Sequence, residues 1–138
     1  MINHEDTKTQ RNEIDPEMER VAQQVVDAAL TVHRALGPGL LESVYEICLA
    51  HELKKRNLKV ERQVDLPVIY DGIRIDGGLR LDLLVNESLI VEIKTVEELH
   101  PIHTAQAITY LKLSKRRLAL LINFNVPLIK NGIKRIIL

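Results

Sequence analysis

Three residues have the types and spacing to carry chemistry: Asp82, Glu92 and Lys94. They lie in two strand-like segments, LRLDLLV (79–85) and LIVEIKTV (89–96), separated by Asn86-Glu87-Ser88. A three-residue loop there makes Val85 face Leu89 and sets Asp82 opposite Glu92. Side chains directly opposed on one face have Cβ atoms about 4.5–5.5 Å apart. Two carboxylates that close repel each other unless a cation lies between them. Lys94 follows Glu92 by two residues and so shares its face, while Leu81, Leu83, Val91 and Ile93 form the opposite, core face. The inference depends on the loop having an odd count, because a slip of one residue turns Asp82 to the other side. Two carboxylates with a lysine suit metal-assisted phosphodiester hydrolysis. Mg²⁺ prefers carboxylate and water oxygens, it activates water and polarises phosphoryl oxygens, and a lysine can orient that water or neutralise growing charge. The competing reading is an amphipathic strand whose exposed face happens to read Glu-x-Lys. The acid opposite, on the neighbouring strand, sets this case apart.

Further residues converge on the same chemistry. Glu42 lies in the apolar stretch GLLESVYE, near Leu41 and Tyr45, where a carboxylate is costly unless paired or metal-bound. The alternative is an ordinary acid near a helix N-terminus. Gln106 and Tyr110 are four apart on one helix face, so Gln106 could hold a water or a phosphate; simple helix packing is the alternative. His100 and His103 flank Pro101 at a helix start and read as capping or surface residues rather than a metal pair. His33, before Gly37-Pro38-Gly39, reads as a packed helix-end residue, and Cys48 as core. Neither Gly37-Pro38-Gly39 nor Asp76-Gly77-Gly78 has the strand-to-helix context of a phosphate-binding loop.

The positioning elements follow from periodicity. Residues 1–14 read as a loose tail, and 15–138 as one domain. Asp15-Pro16-Glu17 is a helix start, and Val21, Val25, Val26, Ala29, Val32 and Leu36 continue at helical spacing to Gly37-Pro38-Gly39. A second helix carries Leu40, Leu41, Val44, Tyr45, Cys48 and Leu49 on one face and runs to about Arg56, with Asn57 as its C-cap. The pattern then turns to period two, from Leu58 to Tyr70, with Pro67 marking an edge or a bulge. Asp71-Gly72 is a hairpin turn, and Asp76-Gly77-Gly78 is expected to break the chain again. A third helix spans Pro101 to Leu113. LALLINF (118–124) is apolar throughout and predicts a central strand buried on both faces, and IKRIIL (133–138) a last short strand. The order α, α, β, β, β, α, β, β predicts an α/β fold with a mixed sheet and helices packed on it.

Composition bounds the rest. One cysteine excludes an internal disulfide and suits a reducing, cytoplasmic setting. The polar start MINHEDTKTQRNEIDPE is no signal peptide, and apolar runs of about six residues are far short of the ~20 that span a bilayer. Net charge is zero but uneven: residues 99–138 hold seven bases (Lys112, Lys115, Arg116, Arg117, Lys130, Lys134, Arg135) and no acid. Such a third can place a polyanion against an acidic centre, which makes Tyr110, Lys112, Lys115 and Arg116 the candidate substrate contacts; a solvated C-terminal face is the plainer reading. Four aromatic residues (Tyr45, Tyr70, Tyr110, Phe124) are too few for single-strand binding by base stacking.

Gly39-Leu40-Leu41-Glu42-Ser43-Val44-Tyr45 matches the pattern of the GxxExxY proteins, a small bacterial and archaeal family assigned to the PD-(D/E)XK nuclease superfamily. With VHRALGPGLLESVYE, RLDLLV, LIVEIKTVEEL, PIHTAQAITYLK and LALLINFNVP in order, the chain resembles that family over about residues 20–138. The resemblance implies a restriction-endonuclease-like αβββαβ core. It implies that Asp82, Glu92 and Lys94 are the signature residues, Glu42 the additional first-helix acid and Gln106 the polar residue of the following helix. It also implies Mg²⁺ or Mn²⁺, with Asp82, Glu92 and Glu42 as ligands, and a nucleic-acid substrate, DNA before RNA. The superfamily includes inactive binding members, so the alternative is a non-catalytic nucleic-acid- or protein-binding module. A nuclease domain this small, with no target-recognition domain, could dimerise to gain footprint.

Overall fold

The structure is a computed structural model that describes residues 13–138. Of the expected tail, residues 1–12 lie outside the described residues. Helix α1 (Pro16–Leu36) starts as its sequence predicts: Pro16 occupies the first turn and the Asp15 side chain accepts from the Glu17 N–H at 2.7 Å. It stops at Gly37, whose φ of 69° favours glycine. Helix α2 (Glu42–Lys55) begins at Glu42, so Leu40 and Leu41 precede it and are exposed rather than part of its buried face. At its C-terminal end Asn57 adopts the left-handed conformation (φ 63°) expected of a C-cap residue.

Five strands follow: β1 (Val60–Tyr70), β2 (Ile73–Val85), β3 (Leu89–Lys94), β4 (Leu118–Asn123) and β5 (Ile133–Ile137). Helix α3 (Pro101–Ser114) crosses from β3 to β4, and a short 3₁₀ turn (Ile129–Gly132) precedes β5. The strands form one sheet in the order β1-β2-β3-β4-β5. Only β3 and β4 are parallel, joined by α3; the other pairs are antiparallel. The expected αβββαβ succession is present from α2 to β4, and β4 is buried along its whole length between two strands. Helices cover both faces. Val25, Ala29 and Val32 of α1 and Tyr45, Leu49 and Leu53 of α2 pack on Leu83, Val85, Val91, Ile93 and Leu120. Ala107 and Leu111 of α3 pack on Leu81, Leu84, Ile90, Ala119 and Leu121.

Two irregularities shape β1 and β2. Asp76-Gly77-Gly78 does not end a strand but forms a bulge in the continuous β2: the register shifts between Leu66↔Leu79 and Val68↔Ile75, and Gly77 has φ 73°. Pro67, which has no N–H to give, sits within the shift on the edge strand. The second irregularity is at Gln63, which has φ 52° and lies between the pairs Arg62↔Leu83 and Val64↔Leu81. Leu83 faces α1 and α2, yet Leu81, two residues away, packs under α3. The sheet therefore reverses its inside and outside at the level of Gln63 and Asp82. Leu81 does not share a face with Leu83, as period two would require.

Candidate active site at the end of the β2–β3 hairpin

The turn 86–88 sets the register. Val85 pairs with Leu89, Leu84 with Ile90 and Leu83 with Val91. Asn86 and Glu87 both have positive φ, and Asn86 is bound twice to Lys59, its N–H donating to the Lys59 carbonyl (2.8 Å) and its Oδ1 accepting from the Lys59 N–H (2.9 Å). Continued by one step, this register sets Asp82 against Glu92. The main-chain ladder ends there, and the Asp82 Oδ2 itself accepts the Ile93 N–H at 2.8 Å. The carboxylate thus serves as the acceptor where the strands part, which fixes its position against β3.

Glu92 shares the α3 face of β3 with Ile90 and is only 6% exposed. Its Oε1 is buried and has no hydrogen-bond partner among the described residues. Burial first, then the neighbouring Asp82 carboxylate, push its carboxyl up to about 9, and the Lys94 ammonium offsets only part of this. An orphaned, buried carboxylate oxygen beside a second carboxylate is costly in this form. It is the donor set a hard divalent cation takes, so the residues fit the implied metal.

Lys94 ends β3, level with Asn123 of β4. Asn123 is 2% exposed and fully engaged: its Oδ1 accepts from the Val96 N–H and the Asn125 N–H (both 3.1 Å), and its Nδ2 donates to the Val96 carbonyl (2.8 Å). It clamps the segment leaving Lys94. Sequence reasoning missed it; the only signal is one amide at the end of an otherwise apolar strand.

Helix α3 brings its N-terminal half over this end of the sheet. Burial first, then the charges of Glu92 and Asp82, raise the Tyr110 phenol, while a hydrogen bond from Gln106 acts the other way. His103, one turn before Gln106, accepts the His100 N–H at its Nδ1 (3.1 Å). It is the capping residue expected, and it also lies at the site: burial first and then the Lys94 charge lower its imidazole, while Glu42 opposes them. A cavity of about 410 Å³ lined by Val96, Glu97, Glu98, His100 and His103 opens beside it. A cavity of about 780 Å³ between α1 and β5 contains none of the candidate residues.

Glu42 is the first residue of α2 and is exposed. Tyr45 explains the local chain path. Its hydroxyl donates to the Gly37 carbonyl (2.5 Å) and accepts the Leu40 N–H (3.1 Å), and its ring stacks on Phe124 at 4.5 Å. Glu42 interacts with His103 but does not join the two strand carboxylates: among the described residues no three His, Cys, Asp or Glu side chains form a metal-binding group. The His33 Nε2–H donates to the Val126 carbonyl (2.8 Å), and His33 is a packed helix-end residue.

Glu46, one turn after Glu42, is a buried acid that the sequence did not single out. It accepts from Arg62 Nε (3.1 Å) and Nη2 (2.8 Å) and from the Gln63 amide (2.5 Å). It therefore ties α2 to the left-handed residue at the level of Asp82. Of the basic C-terminal residues, Lys112 and Lys115 are exposed at the far end of α3. Arg116 donates to the Glu87 carbonyl (3.0 Å) at the turn end of the hairpin, away from the carboxylates. Arg135 pairs with Glu19 of α1.

No curated protein matches the chain at a significant level. The crystal structure of SSO0001 has a similar fold, with a TM-score of 0.54 at 22% identity over 86% of this chain; the chain spans 61% of that structure's length. The family model of the PD-(D/E)XK nuclease superfamily matches residues 19–136. That match runs from within α1 to within β5 and contains the Asp82–Glu92–Lys94 corner, and the chain belongs to the PD-(D/E)XK nuclease superfamily.

Proposed function

We propose that the chain is a metal-dependent nuclease of the GxxExxY type that hydrolyses phosphodiester bonds in DNA or RNA. The observation that carries this reading is the buried, unpartnered Glu92 Oε1 beside Asp82. Asp82 and Glu92 would hold Mg²⁺ or Mn²⁺, while Glu42, exposed at the α2 N-terminus near His103, stands apart from that pair. A bound divalent cation supplies polarisation of the phosphoryl oxygen and a water of lowered pKa. Lys94 orients the attacking water or balances charge on the phosphate, held in place by the Asn123 clamp behind it. Gln106 supports the water or the phosphate, and Tyr110 packs the substrate side of α3. Lys112 and Lys115, exposed at the far end of α3, extend the contact along the nucleic acid, and two copies acting as a homodimer would lengthen the footprint.

The exposure of Glu42, which leaves two carboxylates rather than three converging, favours a second reading: a binding module that keeps the fold without cutting. Labelled DNA and RNA substrates incubated with Mg²⁺ or Mn²⁺ separate the two. The nuclease reading expects metal-dependent cleavage that falls at least ~100-fold in Lys94→Ala, the scale of one transition-state electrostatic contact. Equal cleavage by both proteins identifies a contaminant and removes the assignment. Nucleic acid bound but never cut, at any metal concentration, supports the module.

A further inference from the structure

The outer half of the β1–β2 hairpin is an arm. Strand β3 pairs with β2 only at residues 83–85, so residues 73–79 of β2 are bound to β1 alone. The arm closes in a two-residue turn with Asp71 (φ 50°) and Gly72 (φ 76°), the tight turn that matches strand twist. Its pairs Val68↔Ile75 and Tyr70↔Ile73 lie on one face, since partners oppose and residues two apart align. That face is wholly apolar. Tyr70 is 71% exposed, Ile73 60% and Ile75 46%. An isolated two-stranded hairpin is marginal in water, and no helix of the described residues packs on this one.

We infer that this face is an interface between two copies of the chain. It rests on the homodimer part of the reading above and is independent of the chemistry at Asp82 and Glu92. Charge chooses the occupant. The arm's cations are committed within it, Arg74 to Asp76 (2.9 Å) and Arg80 to Asp65 (3.0 Å). Asp71 is the remaining charge, so a phosphate backbone meets no uncommitted cation here. A two-fold interface needs a patch that tolerates its own copy; four apolar side chains with no charge among them do. The chain's own first twelve residues, MINHEDTKTQRN, offer only Met1 and Ile2 as apolar cover. The face is modest: strands rise about 3.3 Å per residue, so its two rungs lie roughly 7 Å apart. Four side chains on so short a face fall below the ~800 Å² per partner of a stable complex and fit a weak dimer.

Analytical ultracentrifugation of the full chain from ~5 to ~500 µM tests this, without nucleic acid. The expected result is a monomer–dimer equilibrium whose Kd rises at least ~10-fold in Ile73→Glu, with the circular dichroism spectrum unchanged. If Ile73→Glu loses that spectrum, Ile73→Thr, which keeps the β-branched shape, is expected to raise Kd at least ~3-fold. A wild-type monomer throughout overturns the inference. So does a dimer that neither substitution weakens, one that forms only when duplex is added, or one that forms only after residues 1–12 are removed. Because association and not cleavage is read, its failure leaves the nuclease reading standing.

Discussion

At the scale of single residues, Glu92 sets the energetics. Its carboxyl titrates near 9 in the fold, against about 4.5 for the free group. A raised folded value means that its contribution is fully present below about 4.5 and is lost as pH rises through about 9. The metal-free protein is therefore expected to lose stability across that window. Glu92→Gln, which carries no charge to bury, should stabilise the metal-free protein at pH 8 by on the order of 1–3 kcal/mol. Thermal melts in EDTA at pH 5 and pH 8 check this: the wild-type melting temperature should drop between them and that of Glu92→Gln should not. A wild-type melt that is flat with pH contradicts the burial. In millimolar Mn²⁺ the order should invert, since the wild type gains stability by mass action and Glu92→Gln has lost a ligand. The facing of Asp82 and Glu92 was legible in a three-residue turn. Asn123 was not, because its role is to satisfy main-chain groups of a loop 27 residues away.

At the scale of elements, the site is held by a turn, a kink and a helix. The turn was legible: Asn86-Glu87-Ser88 predicted Val85 opposite Leu89, and the pairing is that one. Adding one glycine between Glu87 and Ser88 is expected to slip the register and abolish Mn²⁺ stabilisation while leaving a folded sheet; retained metal response would show that the turn does not set the site. The kink was hidden. Period two placed Leu81 and Leu83 together, and the left-handed Gln63 on the neighbouring strand parts them. Nothing local in ERQVD signals a positive φ at a glutamine. The cause lies on α2, where buried Glu46 holds both Arg62 and Gln63. Glu46→Gln is expected to weaken Mn²⁺ affinity ~10-fold, the lower end for groups that support ligands indirectly, in a protein that still folds. Isothermal titration checks it, and unchanged affinity would confine Glu46 to stability. Leu40 and Leu41 were assigned to a buried helix face because apolar residues at helical spacing read alike before and after a cap; the Tyr45 hydroxyl captures the Leu40 N–H and delays the helix to Glu42.

At the scale of the whole molecule, helices on both faces of a five-stranded mixed sheet leave one end open, where β3 stops and α3 begins. That α/β architecture was readable because each element declares its period: β4 is apolar on both faces and is buried on both. The charge pattern was less informative. A basic third suggested one surface, but Arg116 caps the hairpin turn and Arg135 pairs with α1, so the bases are spread over different sides. Charge in sequence does not become a patch unless the fold gathers it. No helix among the described residues is long and apolar enough to cross a membrane.

The metal reading requires that Asp82 and Glu92 share a divalent cation. Anomalous scattering from a crystal soaked in Mn²⁺ tests it. A peak is expected between the two carboxylates, about 2.0–2.3 Å from an oxygen of each, the range of a hard cation, and no such peak in Glu92→Gln. Ordered Asp82 and Glu92 side chains with no peak between them at millimolar Mn²⁺ would contradict it.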